Sequence, residues 1–355
     1  MNLTRRNKNE TGRLCGTRKS RKKTMGRVEC IEWPKPQIKN PEDVLIRIMY
    51  SSICGSDPHV LTGHFPAPLP KGLGHEMSGI VEELGSGATK NGLKAGDRVT
   101  GNFVKYCGTC YYCRNGLENL CSVTFDGFAP TQTEYVVWHE SQVHKIPDEV
   151  ELMDAALTEP TAISLHMVEQ AQVKIGSRVA ISGAGGLGLL VLQLVRIYGA
   201  SAVTIIEPSK EKRELAKTLG ADFVVDPLNE DVVVRAMEIT QGLGYNATFE
   251  TSVSLQAAEM SLAITGRAGH VVYCAKYPKD VRLSLHLFRD CYFGEKHIHG
   301  SLMNAYSYSR TVSLLPRLNL RAMIQRVYTL EQCKEAYDDQ LSGKFAKIVF
   351  ECQPQ

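Results

Sequence analysis

The chain has 355 residues, 43% of them hydrophobic, which is enough apolar material for a full interior and suits two domains better than one. No run reaches the roughly 18 consecutive apolar residues of a membrane-spanning helix, and the first residues lack the apolar stretch of a secretory signal, so neither membrane insertion nor export is expected and a cytoplasmic protein is. The formal net charge of +3 conceals an asymmetry: residues 1–24 carry nine Lys and Arg against Glu10 alone, and the remainder holds 32 basic and 37 acidic residues, a mildly acidic body without a nucleic-acid footprint.

Residues 1–24 read as a basic, polar, solvated and disordered tail, with polyanion binding or targeting as the alternative. Met25 stands just before GRVECIEWP, where strand-like sequence begins. From there to about Leu165 short β segments are broken by Gly and Pro: DVLIRIMYSSI, GHEMSGIVEEL, GDRVTGNF and TEYVVWHE. This predicts a compact, mostly antiparallel β domain over 25–165. Within it, ICGSDPH offers Cys54, Ser56, Asp57 and His59, and GLGHEMSG offers His75 and Glu76. Cys sulfur and His nitrogen suit zinc, and a catalytic zinc takes three protein ligands while keeping one position open. The third ligand has to come from elsewhere, and Glu159 in LTEPTAISLH, near the boundary between domains, is the candidate. Its alternative is a helix-start carboxylate stabilised by the dipole.

KYCGTCYYCRNGLENLC places Cys107, Cys110, Cys113 and Cys121 in a C-x2-C-x2-C-x7-C cluster. Four crowded thiolates in a reducing compartment predict a closed, tetrahedral, structural zinc rather than disulfides, and the closed shell leaves no position for substrate. The lobe 107–121 has no core of its own and is held by its metal.

Near Leu165 the rhythm changes to strands alternating with helical patterns, which predicts βαβ units and a parallel sheet over 166–300. The predicted strands are RVAIS, AVTIIE, DFVVD, ATFET, HVVYCA and KHIHGS. RVAIS runs into Gly183, Gly185, Gly186, Leu187 and Gly188, a G-x-G-x-x-G loop that opens a helix and is followed 19 residues later by Glu207 at the end of the next strand. The glycines allow the turn, the approach to pyrophosphate and close helix packing, and the helix N-terminus presents free N–H groups. Glu207 can bind ribose hydroxyls and repel a 2′-phosphate, which favours NAD over NADP. Lys212 and Arg213 follow on the next helix. After residue 300, TLEQCKEAYDDQL and KFAKIVF are expected to return to the first domain, giving it 301–355. Cys15, Cys30, Cys274, Cys291, Cys333 and Cys352 read as small hydrophobes.

With CGSDPH, GHEMSG, GDRV, the four-cysteine lobe, TEP, GAGGLG and Glu207 together, the chain resembles the zinc-dependent medium-chain alcohol dehydrogenases from Met25 to Phe350. The resemblance implies an α/β protein, with a GroES-like catalytic β domain and a Rossmann doubly wound parallel-sheet domain. It further implies two zinc ions, NAD, hydride exchange with a small-molecule alcohol or ketone, and a homodimer or homotetramer. Glu159 stands where many alcohol-specific members place Cys. That resembles the polyol and threonine dehydrogenase branch and shifts the expected substrate toward secondary alcohols with vicinal polar groups. A hydroxysteroid or other bulky alcohol, and in another class a non-catalytic zinc-bearing NAD sensor, stay open. Zinc lowers the pKa of bound water from about 15.7 to about 7, and a coordinated alcohol is acidified for the same reason. The expected proton path runs from Ser56 toward His59, Asp57 holds His75 from behind, and the resemblance suggests that Glu76 enters the metal shell. ATFETSVSLQ departs from the family, which commonly has a glycine in that turn. Phe65, Phe103 and Phe125 are candidates for an apolar wall.

Overall fold

In the computed structural model, residues 11–19, 26–61, 71–124 and 128–353 are described. Two compact units result: one takes the chain up to Glu159 and from Tyr308 onward, the other is Pro160–Ser307. The sequence reading put these boundaries a few residues inward, at 165 and 301, where the periodicity changes. No helix among the described residues is long and apolar enough to cross a membrane.

The first unit begins with β1 (Thr11–Lys19) and β2 (Gly26–Pro34), then β3 (Asp43–Ser52), β4 (Lys71–Gly72), β5 (Glu76–Leu84), β6 (Arg98–Gly101), β7 (Tyr135–His139) and β8 (Val143–Lys145). The second contributes β9 (Arg178–Ser182), β10 (Ala202–Ile206), β11 (Phe223–Val225), β12 (Tyr245–Glu250), β13 (Thr265–Tyr273) and β14 (His297–Gly300), and the chain returns to the first for β15 (Ile324–Thr329) and β16 (Lys347–Glu351).

In the first unit a seven-stranded sheet runs β15-β16-β3-β5-β6-β8, with β7 also paired to β3. Val44, Ile46 and Ile48 alternate inward from β3 and meet Met77, Val81, Val99, Val136, Trp138, Ile348 and Phe350 in one core, the two-residue period that a half-buried strand needs. A second, three-stranded sheet runs β2-β1-β4.

This small sheet corrects the tail expectation. Thr11–Lys19 is not disordered: it pairs along its whole length with Gly26–Pro34. Leu14 and Cys15 are buried, and Arg13 Nε donates to Glu134 Oε1 at 2.7 Å. The basic residues hid a strand whose Leu14 and Cys15 carry the burial and whose Arg13 has an acidic partner. The rest of the expected tail, residues 1–10 and 20–24, lies outside the described residues.

The second unit is a six-stranded parallel sheet in the order β11-β10-β9-β12-β13-β14, the order of a dinucleotide-binding fold whose ligand site lies where the order reverses, between β9 and β12. All six predicted strands form. The apolar helix Gly186–Ile197 follows β9, and Lys210–Thr218 follows β10 with Ser209 as its N-cap, its Oγ accepting from Lys212 N–H at 3.3 Å.

Candidate metal centre and cofactor loop

Strand register brings the first ligand group together. Ser52 and Glu76 are direct partners in the antiparallel β3–β5 pair, so Cys54, just past the end of β3, and His75, just before β5, emerge at the same end of the sheet. Ligand atoms of Cys54, His75 and Glu76 all lie within 4.8 Å of one another. Asp57 sits behind them: its Oδ1 is 3.4 Å from His75 Nδ1, while its Oδ2 accepts from the Cys54 N–H and from Gln132 Nε2, each at 3.1 Å. With Nδ1 turned to a carboxylate, the imidazole keeps Nε2 for a metal, the arrangement that fixes tautomer and ring orientation at zinc sites. Burial acts to lower the His75 pKa, but Cys54 and Asp57 outweigh it and hold it well above the usual imidazole range. Ser56 Oγ donates to Cys54 Sγ at 3.3 Å. His59, half-buried, follows on the short helix Pro58–Leu61.

Glu76 is completely buried. Its Oε2 accepts from Ser52 Oγ and from Lys347 Nζ, while Oε1 is buried with no hydrogen-bond partner. A buried, unpartnered carboxylate oxygen is costly unless something satisfies it. That orphan atom, in a thiol–imidazole–carboxylate set, fits a zinc ion. Lys347 was missed in the sequence. Register explains its place: β16 pairs antiparallel with β3 through Val349 and Ser52, which carries Lys347 alongside Cys54, and its Nζ also donates to the Ile53 carbonyl at 3.2 Å. Burial works against its charge, yet Glu76 keeps its pKa raised.

Glu159 lies outside the 4.8 Å group. It is buried, 3% exposed, and its carboxyl is pushed up to about 7 by burial, with His75 and Lys347 opposing and Glu76 and Asp57 adding to the rise. It therefore shares the electrostatic environment of the group without converging on it. The Phe103 ring centroid is 4.9 Å from that of His75, whereas Phe65 and Phe125 lie outside the described residues.

The second group holds the sulfurs of Cys107, Cys110, Cys113 and Cys121, all within 4.8 Å. Cys107 Sγ and Cys113 Sγ are 4.0 Å apart, close to the roughly 3.8 Å edge of a tetrahedron with 2.3 Å Zn–S bonds. Backbone N–H groups of Thr109 and Cys110 point at Cys107 Sγ at 3.5 and 3.3 Å and hold its thiol below the ordinary value, and similar bonds lower Cys110 to about 6. The backbone thus favours thiolates at Cys107 and Cys110, whereas burial pushes the Cys113 thiol up to about 12. Four sulfurs in this arrangement fit a structural zinc.

In the second unit Gly183 has φ +97°, and a Cβ at Gly188 would lie 2.0 Å from the Gly183 carbonyl oxygen, so neither position accepts a side chain without a shift of backbone. A Cβ at Gly185 would meet nothing within 4 Å; the open space at the helix start, beside Gly186 and Leu187, suits a pyrophosphate. Glu207 closes the loop from below, its Oε2 accepting from Ala184 N–H at 2.8 Å and Oε1 from Ser209 N–H at 2.9 Å. Arg213 is engaged elsewhere, with Nη2 2.9 Å from Asp226 Oδ2 and Nη1 donating to the Glu207 carbonyl at 2.7 Å. At the turn after β12, the segment that departs from the family, Val253 takes φ +66°, a left-handed conformation that suits glycine far better than a β-branched residue.

Residues 40–148 match the alcohol dehydrogenase GroES-like domain, and residues 186–317 match the zinc-binding dehydrogenase family. The chain belongs to the zinc-dependent medium-chain alcohol dehydrogenases. This dehydrogenase is 34% identical to the L-threonine 3-dehydrogenase of Pyrococcus horikoshii over 332 residues, covering 90% of this chain and 93% of that one. It is 32% identical to the D-arabitol-phosphate dehydrogenase of Enterococcus avium over 327 residues, covering 88% and 91%. A zinc-binding dehydrogenase of Sinorhizobium meliloti 1021, solved bound to NADP, superposes with a TM-score of 0.86 at 30% identity, covering 96% of this chain and 99% of that one. This dehydrogenase is accordingly a zinc-dependent oxidoreductase acting on CH–OH groups.

Proposed function

We propose that the enzyme oxidises a secondary alcohol carrying a neighbouring hydroxyl or amino group, with NAD as hydride acceptor. The observation that carries this reading is the convergence of Cys54, His75 and the orphaned Glu76 Oε1, with the buried Glu159 carboxyl in the same electrostatic environment. Cys54, His75 and Glu76 would hold the ion, with Glu159 adding a carboxyl to its surroundings, and Asp57 orients His75. Bound there, zinc supplies Lewis-acid activation of the alcohol oxygen. Ser56 takes the alcohol proton and His59 is the next link outward. The relatives named for threonine and for a sugar-alcohol phosphate support the substrate class. Glu207, buried and with Arg213 turned to Asp226, supports NAD: its carboxylate leaves no welcome for a 2′-phosphate.

A panel of polyols, amino alcohols and hydroxysteroids, run with NAD and NADP in parallel, tests this directly. NADH formation on a polyol or amino alcohol is expected, with Glu207→Ser narrowing the preference for NAD. Preference of the wild type for NADP, or for the steroids, would overturn the corresponding half. The metal assignment has its own check. Elemental analysis of Cys54→Ser should find about one zinc per chain where the wild type holds two, with the fold retained, because the closed four-thiolate site is independent of the open one.

We further propose that the chain self-associates through the edge of its parallel sheet. β14 ends that sheet, and Ile298, Leu287, Phe288, Tyr292 and Leu302 near it are 41–79% exposed. An open strand edge flanked by apolar side chains is the kind of surface a second copy covers. Light scattering in solution should give at least twice the 39.3 kDa of one chain; a monomer at micromolar concentration would end the proposal.

A further inference from the structure

Three cysteines that neither metal group uses meet where β1 lies against β2 and the helix Cys333–Ser342 begins. Cys15 and Cys30 are directly opposed in the antiparallel β1–β2 ladder. The Cys15 N–H donates to the Gln132 carbonyl at 2.8 Å, and the Cys15 carbonyl accepts from Leu73 N–H at 3.1 Å. Both ladder groups of Cys15 therefore face away from β2, which makes Cys15–Cys30 a non-hydrogen-bonded pair. In such pairs the α-carbons approach to about 4.5 Å with their side chains close on one face, inside the roughly 4.4–6.8 Å that a disulfide spans. Cys15 is fully buried, Cys30 half-buried, and both are free thiols.

We propose that Cys15 and Cys30 form a reversible cross-strand disulfide under oxidising challenge, with hydrogen peroxide as the oxidant. Cys30, the more accessible of the two, attacks a peroxide oxygen through its thiolate; the O–O bond breaks, water is released and Cys30 becomes a sulfenic acid. The Cys15 sulfur then attacks the Cys30 sulfur, the S–O bond breaks, and the thiol proton of Cys15 leaves with the hydroxyl as a second water. Two thiols lose two electrons, and one peroxide becomes two waters. Cys333 is the third member: the Cys15 thiol is hydrogen-bonded to it, and this bond holds the Cys333 thiol below its ordinary value. Burial raises both Cys15 and Cys30, which makes the first step slow and confines the reaction to sustained oxidation.

The position gives the bond a route to the metal group. Cys15 holds the backbone of Gln132, the Gln132 side chain donates to Asp57 at 3.1 Å, and Asp57 faces His75. Oxidation would tie this support to β2 by a covalent link.

The test uses the zinc-loaded full-length enzyme, treated with hydrogen peroxide, quenched with iodoacetamide, digested with trypsin and read by mass spectrometry without reduction. The expected product joins the segments 14–18 and 28–39 through Cys15 and Cys30. It should vanish on adding dithiothreitol, be absent from Cys30→Ser and persist in Cys333→Ser. The thermal midpoint of the oxidised wild type should rise by several degrees, reversibly, because the bond closes a short loop of the unfolded chain. Recovery of Cys15 alkylated when Cys30 has already been oxidised to the sulfinic acid would overturn the proposal, as would a disulfide joining Cys15 to Cys333 instead.

Discussion

Ser56→Ala is expected to keep both zinc ions and its affinity for NAD while its kcat falls by roughly 10²- to 10⁴-fold, the range for loss of a positioned proton-transfer group. The hydroxyl also donates to Cys54 Sγ, so a second explanation would be a change in the charge on that sulfur. The two effects separate by experiment. Loss of the donor alone should alter zinc affinity and leave the pH profile of kcat in place, whereas loss of the proton link should move or abolish the profile's acidic limb. Ser56→Thr, which restores a hydroxyl, should recover much of the rate. If Ser56→Ala turned over its best alcohol at the wild-type rate with chemistry rate-limiting, the proton would have to leave by another path.

Lys347→Met should be the most destabilising single change near the metal group. Lys347 Nζ and Glu76 Oε2 are paired in a site where both side chains are at most 5% exposed. In the zinc-stripped enzyme, where no metal ion answers Glu76, removing one partner of such a pair leaves a buried, uncompensated charge, at a cost of about 3–5 kcal/mol. Denaturant unfolding would read that loss as an earlier midpoint, and Lys347→Arg should retain most of the stability. Glu76→Gln combined with Lys347→Met should lose less than Lys347→Met alone, because the stranded carboxylate is gone. Unfolding of Lys347→Met at the wild-type midpoint would show that the pair is immaterial to the fold.

Lys347 marks the limit of what the linear sequence discloses. The four-cysteine lobe was legible because its ligands lie within 15 residues, and spacing alone carries the chemistry. The glycine loop was legible for the same reason, since strand, turn, helix and Glu207 follow in order. Lys347 had no such signal: a lysine opening a short apolar strand reads as an exposed strand end, and its partner is 271 residues away. Gln132, which joins Asp57 to Tyr337, was silent for the same reason, because a buried amide is recognised by its partners and not by its neighbours in the chain. β1 was misread because charge density outweighed its Leu14 and Cys15. The opposition of Cys15 and Cys30 required knowing the strand register.

The discontinuity of the first unit has a consequence for biosynthesis. β15 and β16 join its main sheet, and β16 delivers Lys347, yet both are translated only after Pro160–Ser307 has been made. At 5–20 residues per second that interval alone lasts roughly 7–30 s. During it the nascent first unit has an unfilled sheet position beside β3, and Glu76 has no lysine to answer it. The parallel-sheet unit can complete its own hydrogen bonds meanwhile. The enzyme should therefore mature in a set order, the dinucleotide-binding half closing on the ribosome and the metal-binding half only once the final strand has emerged.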